Sequence, residues 1–217
     1  MRGRDFKQMA AAFLYNLTGE RSWEDVMAQE SVVKDGKSPV FSKQGRNQFY
    51  QIWGTAAYLT CPHERHYPEL YANMKSSVNH QADENNVNHM YARPSRRTAN
   101  DPRWQTSQNL QMVMLAHYIA DNSERRSRLE AAMYIEAGWG LGRNPANIVE
   151  MTGLGERHIV DCYTTGRNDG TPGSHPGQTP FNGTETWSAG NGGDATIILG
   201  RCYPDWYTSG WPRQESF

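Results

Sequence analysis

Through the first 140 residues apolar positions recur at helical spacing, and beyond that point the periodicity stops. Phe6, Ala10, Phe13, Leu14 and Leu17 lie three or four apart, which predicts an amphipathic helix over about residues 4–17, stopped by Thr18-Gly19. Ser22-Trp23-Glu24-Asp25 has the form of a capping box and predicts a short second helix. Gly36 to Pro39 breaks the chain. Residues 47–59 then carry Phe49, Tyr50, Ile52, Trp53, Ala56, Ala57 and Leu59, apolar on more than one side, so a buried helix is expected there, ended by Cys61-Pro62. Pro68 suits the first turn of a helix over about 68–81. Pro94 and Pro102 bracket a polar connection in which Thr98 or Asp101 is placed to cap the next helix, 103–120, with Leu110, Val113, Met114, His117 and Tyr118 on one side. Ser123 opens a further helix through Leu129, Ala132, Met133, Ile135 and Glu136, ended by Gly138 and Gly140. About six helices, no strand alternation and short connections predict an all-α fold of antiparallel helical neighbours.

From Gly138 onward the chain is mostly irregular, apart from a short apolar run at Ala195–Leu199. Glycines are dense from Gly138 to Gly177, and among them stand Arg143, Arg157, His158, Asp161, Arg167, Asp169 and His175. Ile148, Val149, Met151, Leu154, Ile159 and Val160 give the stretch apolar anchors, so an ordered loop is expected rather than a disordered one. Residues 141–177 are expected to cross one end of the helical array and to present Arg157, His158, Arg167, Asp169 and His175 to a common cleft.

Composition narrows the functional classes. The chain has 217 residues and a net charge of −1, with a pI of about 6.7, so there is no electrostatic case for nucleic acid or an anionic membrane. No window approaches the ~18 apolar residues of a membrane span. Asp5, Lys7 and Gln8 interrupt what would otherwise resemble a signal peptide. Cys61, Cys162 and Cys202 are too far apart for a CxxC metal site and do not form a disulfide framework. The 7 Trp and 11 Tyr suit either a buried aromatic core or stacking on flat ligands and sugars.

Leu141–Gly155 reads LGRNPANIVEMTGLG. It resembles the segment LGxNPxxxSYVxGFG of family 9 glycoside hydrolases, the cellulase family. Leu141, Gly142, Asn144, Pro145, Gly153 and Gly155 match at the same spacing, and the preceding EAAMYIEAGWG resembles the helix that enters the motif. The resemblance is specific over about 15 residues. It implies an (α/α)6 toroid of helical hairpins, with residues 1–140 as the hairpins and 141–217 as site loop and irregular tail of a single domain or domain fragment. It also implies inverting hydrolysis of O-glycosidic bonds in a β-glucan-like polysaccharide by the full-length form, with little or no turnover expected of this chain alone, and secretion or a periplasmic location.

Two features of that family are missing. Its Asp-Ala-Gly-Asp motif, whose aspartates activate water, does not occur, and neither does its Pro-His-His-Arg stretch; Arg157-His158 and Ser174-His175-Pro176 stand in that region instead. After His175 the only glutamates are Glu185 and Glu215, which are therefore the candidates for the general acid, and neither stands in an Asn-Glu pair. The chain accordingly reads as a partial toroid, roughly the C-terminal half, with self-association or a complementary N-terminal half as possible partners besides the polysaccharide or oligosaccharide.

Arg157, His158, Arg167, Asp169, His175 and Trp187 are the candidate sugar contacts. For His158 and His175 a hydrogen bond to loop backbone is an equally good reading. Arg143 is placed to cap the helix over 123–139, and Arg167-Asn168-Asp169-Gly170 has the composition of a turn. Trp187, Trp206 and Trp211 suit sugar platforms or packing of the tail. No cofactor is required; Asp161, with His158, Asp169 and backbone carbonyls, is the candidate for Ca²⁺, which several family members contain, although no EF-hand spacing exists. Two hypotheses follow: a carbohydrate-active enzyme domain, or a catalytically incomplete (α/α) domain that binds sugar or serves as a structural half.

Overall fold

The computed structural model describes residues 3–42, 49–90, 110–143, 147, 149, 151–158, 176 and 177. Among them are six α-helices: α1 (Gly3–Thr18), α2 (Arg21–Glu30), α3 (Ile52–Leu59), α4 (Pro68–Asn85), α5 (Gln111–Tyr118) and α6 (Ser123–Gly140). A 3₁₀ turn covers Val87–His89, and among the described residues a single two-stranded sheet pairs β1 (Phe41–Ser42) with β2 (Phe49–Tyr50), antiparallel with Phe41 opposite Tyr50. The fold class is all-α, as the periodicity predicts. By contact density the chain divides into two compact units, one of residues 1–88 and 110–131, the other of residues 89–109 and 132–217.

Several helix ends follow from local chemistry. Gly19 takes φ +71° just after α1, and its N–H reaches the Tyr15 carbonyl at 2.8 Å, closing the helix as the Thr18-Gly19 pair predicts. Pro68 occupies the first turn of α4, where a missing N–H costs nothing. The Asp35 carboxylate accepts from the Lys37 N–H at 2.8 Å and the Ser38 hydroxyl at 3.1 Å in the turn at Gly36. Those bonds hold the carboxyl below its ordinary range. The capping box is a correction: α2 begins at Arg21 after Glu20, with no side-chain cap. The Thr18 hydroxyl accepts from the Glu20 N–H at 3.2 Å instead. Ahead of α6, the Asn122 side chain accepts the Arg125 N–H at 2.8 Å and caps it.

α1 and α2 form an antiparallel hairpin. Arg4 donates to the carbonyls of Glu30 and Ser31, each at 2.9 Å, and Lys7 meets the Glu30 carboxylate at 2.7 Å, so the start of α1 lies beside the end of α2. α3 packs on the other flank of α1, and α4 packs on α5. Tyr15, Met27, Tyr58 and Met74 are fully enclosed at the centre of this unit, each burial contributing about 2 kcal/mol before entropy is counted.

The orientation of α1 overturns the expectation from its periodicity. An amphipathic surface helix ordinarily turns its apolar stripe to the core. Here Asp5, Gln8, Ala11, Ala12 and Tyr15 are buried, while Phe6, Phe13 and Leu17 stay 52%, 48% and 79% exposed. Asp5 faces inward because its carboxylate accepts the Tyr50 N–H at 3.0 Å. The same bond, with the Phe41–Tyr50 pairing, keeps Phe49 and Tyr50 in a strand, and α3 starts at Ile52 rather than near Asn47. In α5 the buried positions are Met112, Val113, Leu115 and Ala116, whereas Met114 and Tyr118 are exposed; the face expected from Met114 and Tyr118 is therefore not the packed one.

Candidate functional site

The glycine-bearing segment begins with the end of α6. The Arg143 N–H returns to the Gly138 carbonyl at 2.9 Å and the Gly142 N–H to Trp139 at 3.3 Å. With Gly142 at φ +100°, this is the six-to-one and five-to-two pairing of a Schellman terminus, which calls for glycine at that position. The helix thus runs through Gly138 and Gly140 and is ended by Gly142. The Arg143 backbone N–H closes this terminus, a contact that the expected cap by its cationic side chain did not include.

Beyond this terminus the chain folds back on itself. Leu141 bridges Val149 antiparallel, Val149 bridges His158 in parallel, and the Val149 N–H donates to the Arg157 carbonyl at 2.7 Å. Gly153 and Gly155 adopt φ +73° and +75°. A Cβ on Gly153 would also meet the Pro176 ring carbon at 3.0 Å, and the Gly177 N–H reaches the Thr152 carbonyl at 2.7 Å. The result is a compact, backbone-bonded turn in which the motif glycines supply the left-handed positions.

Of the sequence-predicted site residues, Arg157 and His158 belong to this turn. Arg157 is exposed and His158 half-buried. His158 Nδ1 accepts the Gly153 N–H at 3.2 Å, so the hydrogen bond to loop backbone is realised. An acceptor at Nδ1 places the proton of the neutral ring on Nε2, which makes Nε2–H a donor. Asp161, Arg167, Asp169, His175, Glu185, Trp187 and Glu215 lie outside the described residues. Among those that are described, no group of three or more His, Cys, Asp or Glu side chains is placed to hold a metal.

A second polar centre, which the sequence reading missed, lies in the first unit. Glu24 is fully buried. One carboxylate oxygen accepts the Tyr58 hydroxyl at 2.7 Å and the His66 N–H at 2.9 Å, and the other lies 2.6 Å from His66 Nδ1. Burial, and then the hydrogen bond to Glu24, push the Tyr58 phenol far above its ordinary value. Tyr15, whose hydroxyl bonds the Glu64 carbonyl, is raised by burial and by the Glu24 charge. Arg65 donates to the carbonyls of Leu59, Cys61 and His63, capping α3, and its guanidinium sits 4.6 Å above the Tyr71 ring. This arrangement ties α2, α3 and the 60–67 connection together through one carboxylate. The signal for it was slight: an acid in the first turn of a helix is usually solvated.

Comparison with family models, with curated proteins and with solved structures finds no match to this chain.

Proposed function

We propose that the chain is a glycoside-hydrolase-like domain, its helical hairpins arranged as in a partial (α/α) toroid, that in the full-length form acts on O-glycosidic bonds of a β-glucan-like polysaccharide by inverting acid/base hydrolysis. The observation that carries this reading is local: Gly142, Gly153 and Gly155, three of the residues that match the family 9 segment, have positive φ. The shared spacing therefore coincides with a backbone shape that needs glycine at those points. The antiparallel α1–α2 hairpin suits the same architecture. In this reading Arg157 and His158 contact sugar hydroxyls from the turn. Inverting chemistry needs two carboxyl groups ~6.5–9.5 Å apart, one protonating the leaving oxygen and one activating water. Glu185 and Glu215 are the proposed sources of the acid.

The second reading is a carbohydrate-binding or structural domain without turnover. It is favoured by the buried state of Glu24 and Glu136, which are 0% and 1% exposed, and by the structural use of His158 Nδ1. Hydrolysis of soluble β-glucans and aryl glycosides by the purified chain, compared with Glu185→Gln and Glu215→Gln, separates the two. Turnover abolished by either substitution supports the enzyme, and saturable binding without turnover supports the second reading. Absence of both binding and turnover overturns the carbohydrate assignment.

A further inference from the structure

The outward stripe of α1 does not stand alone. Phe13, Asn16 and Leu17 from α1 meet Trp53, Ala56 and Thr60 from α3 and its C-cap around a pocket of about 420 Å³, a size that accommodates a small ligand. Both aromatic side chains are about half exposed, Phe13 at 48% and Trp53 at 46%. The rest of the lining is small or aliphatic, and none of it carries a charge.

Its two polar side chains are both oriented by bonds to α3. The Asn16 amide donates from Nδ2 to the Ala57 carbonyl at 2.7 Å, which fixes Oδ1 as the acceptor that remains. The Thr60 hydroxyl donates to the Ala56 carbonyl at 2.9 Å, which leaves its oxygen lone pairs as acceptors. The pocket thus combines aromatic and aliphatic walls with two fixed acceptors. A wholly apolar occupant would cover those acceptors and leave them without donors, which costs free energy. A charged occupant would be desolvated with no counter-charge. A neutral ring with an apolar C–H face and a rim of hydroxyl donors satisfies every wall.

We propose that this α1–α3 pocket binds a neutral pyranose ring, stacked on Trp53 and hydrogen-bonded through its hydroxyls to Asn16 and Thr60. Its lining residues are not those of the glycine-bearing turn, and it rests on the carbohydrate reading only for the choice of probe sugar. The full chain is titrated with cellotetraose while the Trp53 indole N–H and the Asn16 and Thr60 amides are followed by NMR, alongside Trp53→Ala, Thr60→Val and Gly153→Ala. Saturable shifts at those three residues are expected, with affinity falling about tenfold in Trp53→Ala and less in Thr60→Val. Gly153→Ala, which alters the other segment, leaves the shifts in place. Trp53 is half exposed, so its removal spares the core, and far-ultraviolet circular dichroism checks that it does. Absence of shifts in the parent chain overturns the proposal. So does binding of free indole at the same residues unchanged by Thr60→Val, because the acceptors would then have no part. Concentration-dependent dimerisation abolished by Leu17→Lys also overturns it, by assigning the face to a second copy of the chain. If the sugar shifts persist in Trp53→Ala but vanish in Gly153→Ala, the pocket assignment falls while the glycosidase reading stands. Shifts lost in Trp53→Ala from a chain without turnover leave the pocket and remove the hydrolase.

Discussion

The Glu24 centre and the glycine-bearing segment after α6 hold their shapes by opposite means. Around Glu24, side chains from positions 24, 58 and 66 converge on one buried carboxylate, so the contact exists only once three elements have packed. From Gly138 to His158 the backbone pairings join residues at most 9 apart, Val149 with His158, with glycines allowing the turns. The first is expensive to break and invisible locally. The second is cheap per contact and written into the spacing of its glycines. Substitutions that probe each kind of bond should separate the two regions by magnitude.

The largest effect is expected from Glu24→Ala. It leaves the Tyr58 hydroxyl and both His66 donors facing an enclosed gap, and removing one partner of a buried polar pair costs about 3–5 kcal/mol. Urea denaturation should show that loss in the midpoint, with circular dichroism checking that the variant still folds. A change below about 1 kcal/mol would mean that the carboxylate is not the tie between α2, α3 and the 60–67 connection. Next comes Gly142→Ala. The nearest atoms to its new Cβ are 3.7 Å away, so crowding is not the issue. The cost is the left-handed backbone, about 1–2 kcal/mol, and it should appear as faster amide exchange over the last turn of α6. Protection unchanged there would show that the terminus does not depend on glycine.

A pH titration sharpens the same comparison. The Tyr58 phenol is held above its ordinary value of about 10, chiefly by burial and then by Glu24. A group whose folded value is raised contributes stability that is fully present below its unfolded value and is lost as pH climbs past it. Stability should therefore be flat below about pH 9 and fall above pH 10 by up to about 1.4 kcal/mol per pH unit for Tyr58. Tyr58→Phe should flatten that slope, whereas Gly142→Ala should not. Phenolate absorbance that rises fully at pH 10–11 in the folded chain would contradict the burial of this hydroxyl.

How much of this was readable from the sequence follows the same division. Gly19, Pro62 and Pro68 mark helix ends through chemistry confined to a few residues, and all three ends stand where they were expected. The motif glycines were legible for the same reason: the helix ends at Gly140, as expected, and the left-handed residue that closes it is Gly142, two positions on. The inward face of α1 was not legible. Asp5 is buried by a partner 45 residues away, and that contact also turns Phe49 and Tyr50 from helix to strand. Glu24 was passed over because its partners at 58 and 66 carry no local trace. Of the proposed site, Arg157 and His158 can be placed, while Asp161, Arg167, Asp169, His175, Glu185, Trp187 and Glu215 lie outside the described residues.

The smallest expected effect is at His158. Its Nδ1 takes up the Gly153 N–H at 3.2 Å, a bond on a half-open surface where water can replace the ring. Loss of this one bond in His158→Ala should therefore cost only about 0.5 kcal/mol, the low end for a single hydrogen bond. His158→Asn is the sharper variant, because its side-chain carbonyl offers an acceptor of similar reach and should restore part of the loss. Amide exchange at Gly153 is the direct readout, since it reports that one N–H and not global unfolding. If Gly153 exchanges as slowly in His158→Ala as in the parent, the turn is held by its backbone bonds alone. The ring would then have no part in holding the turn, and the difference between the two regions would be complete: one built from side chains, the other needing none.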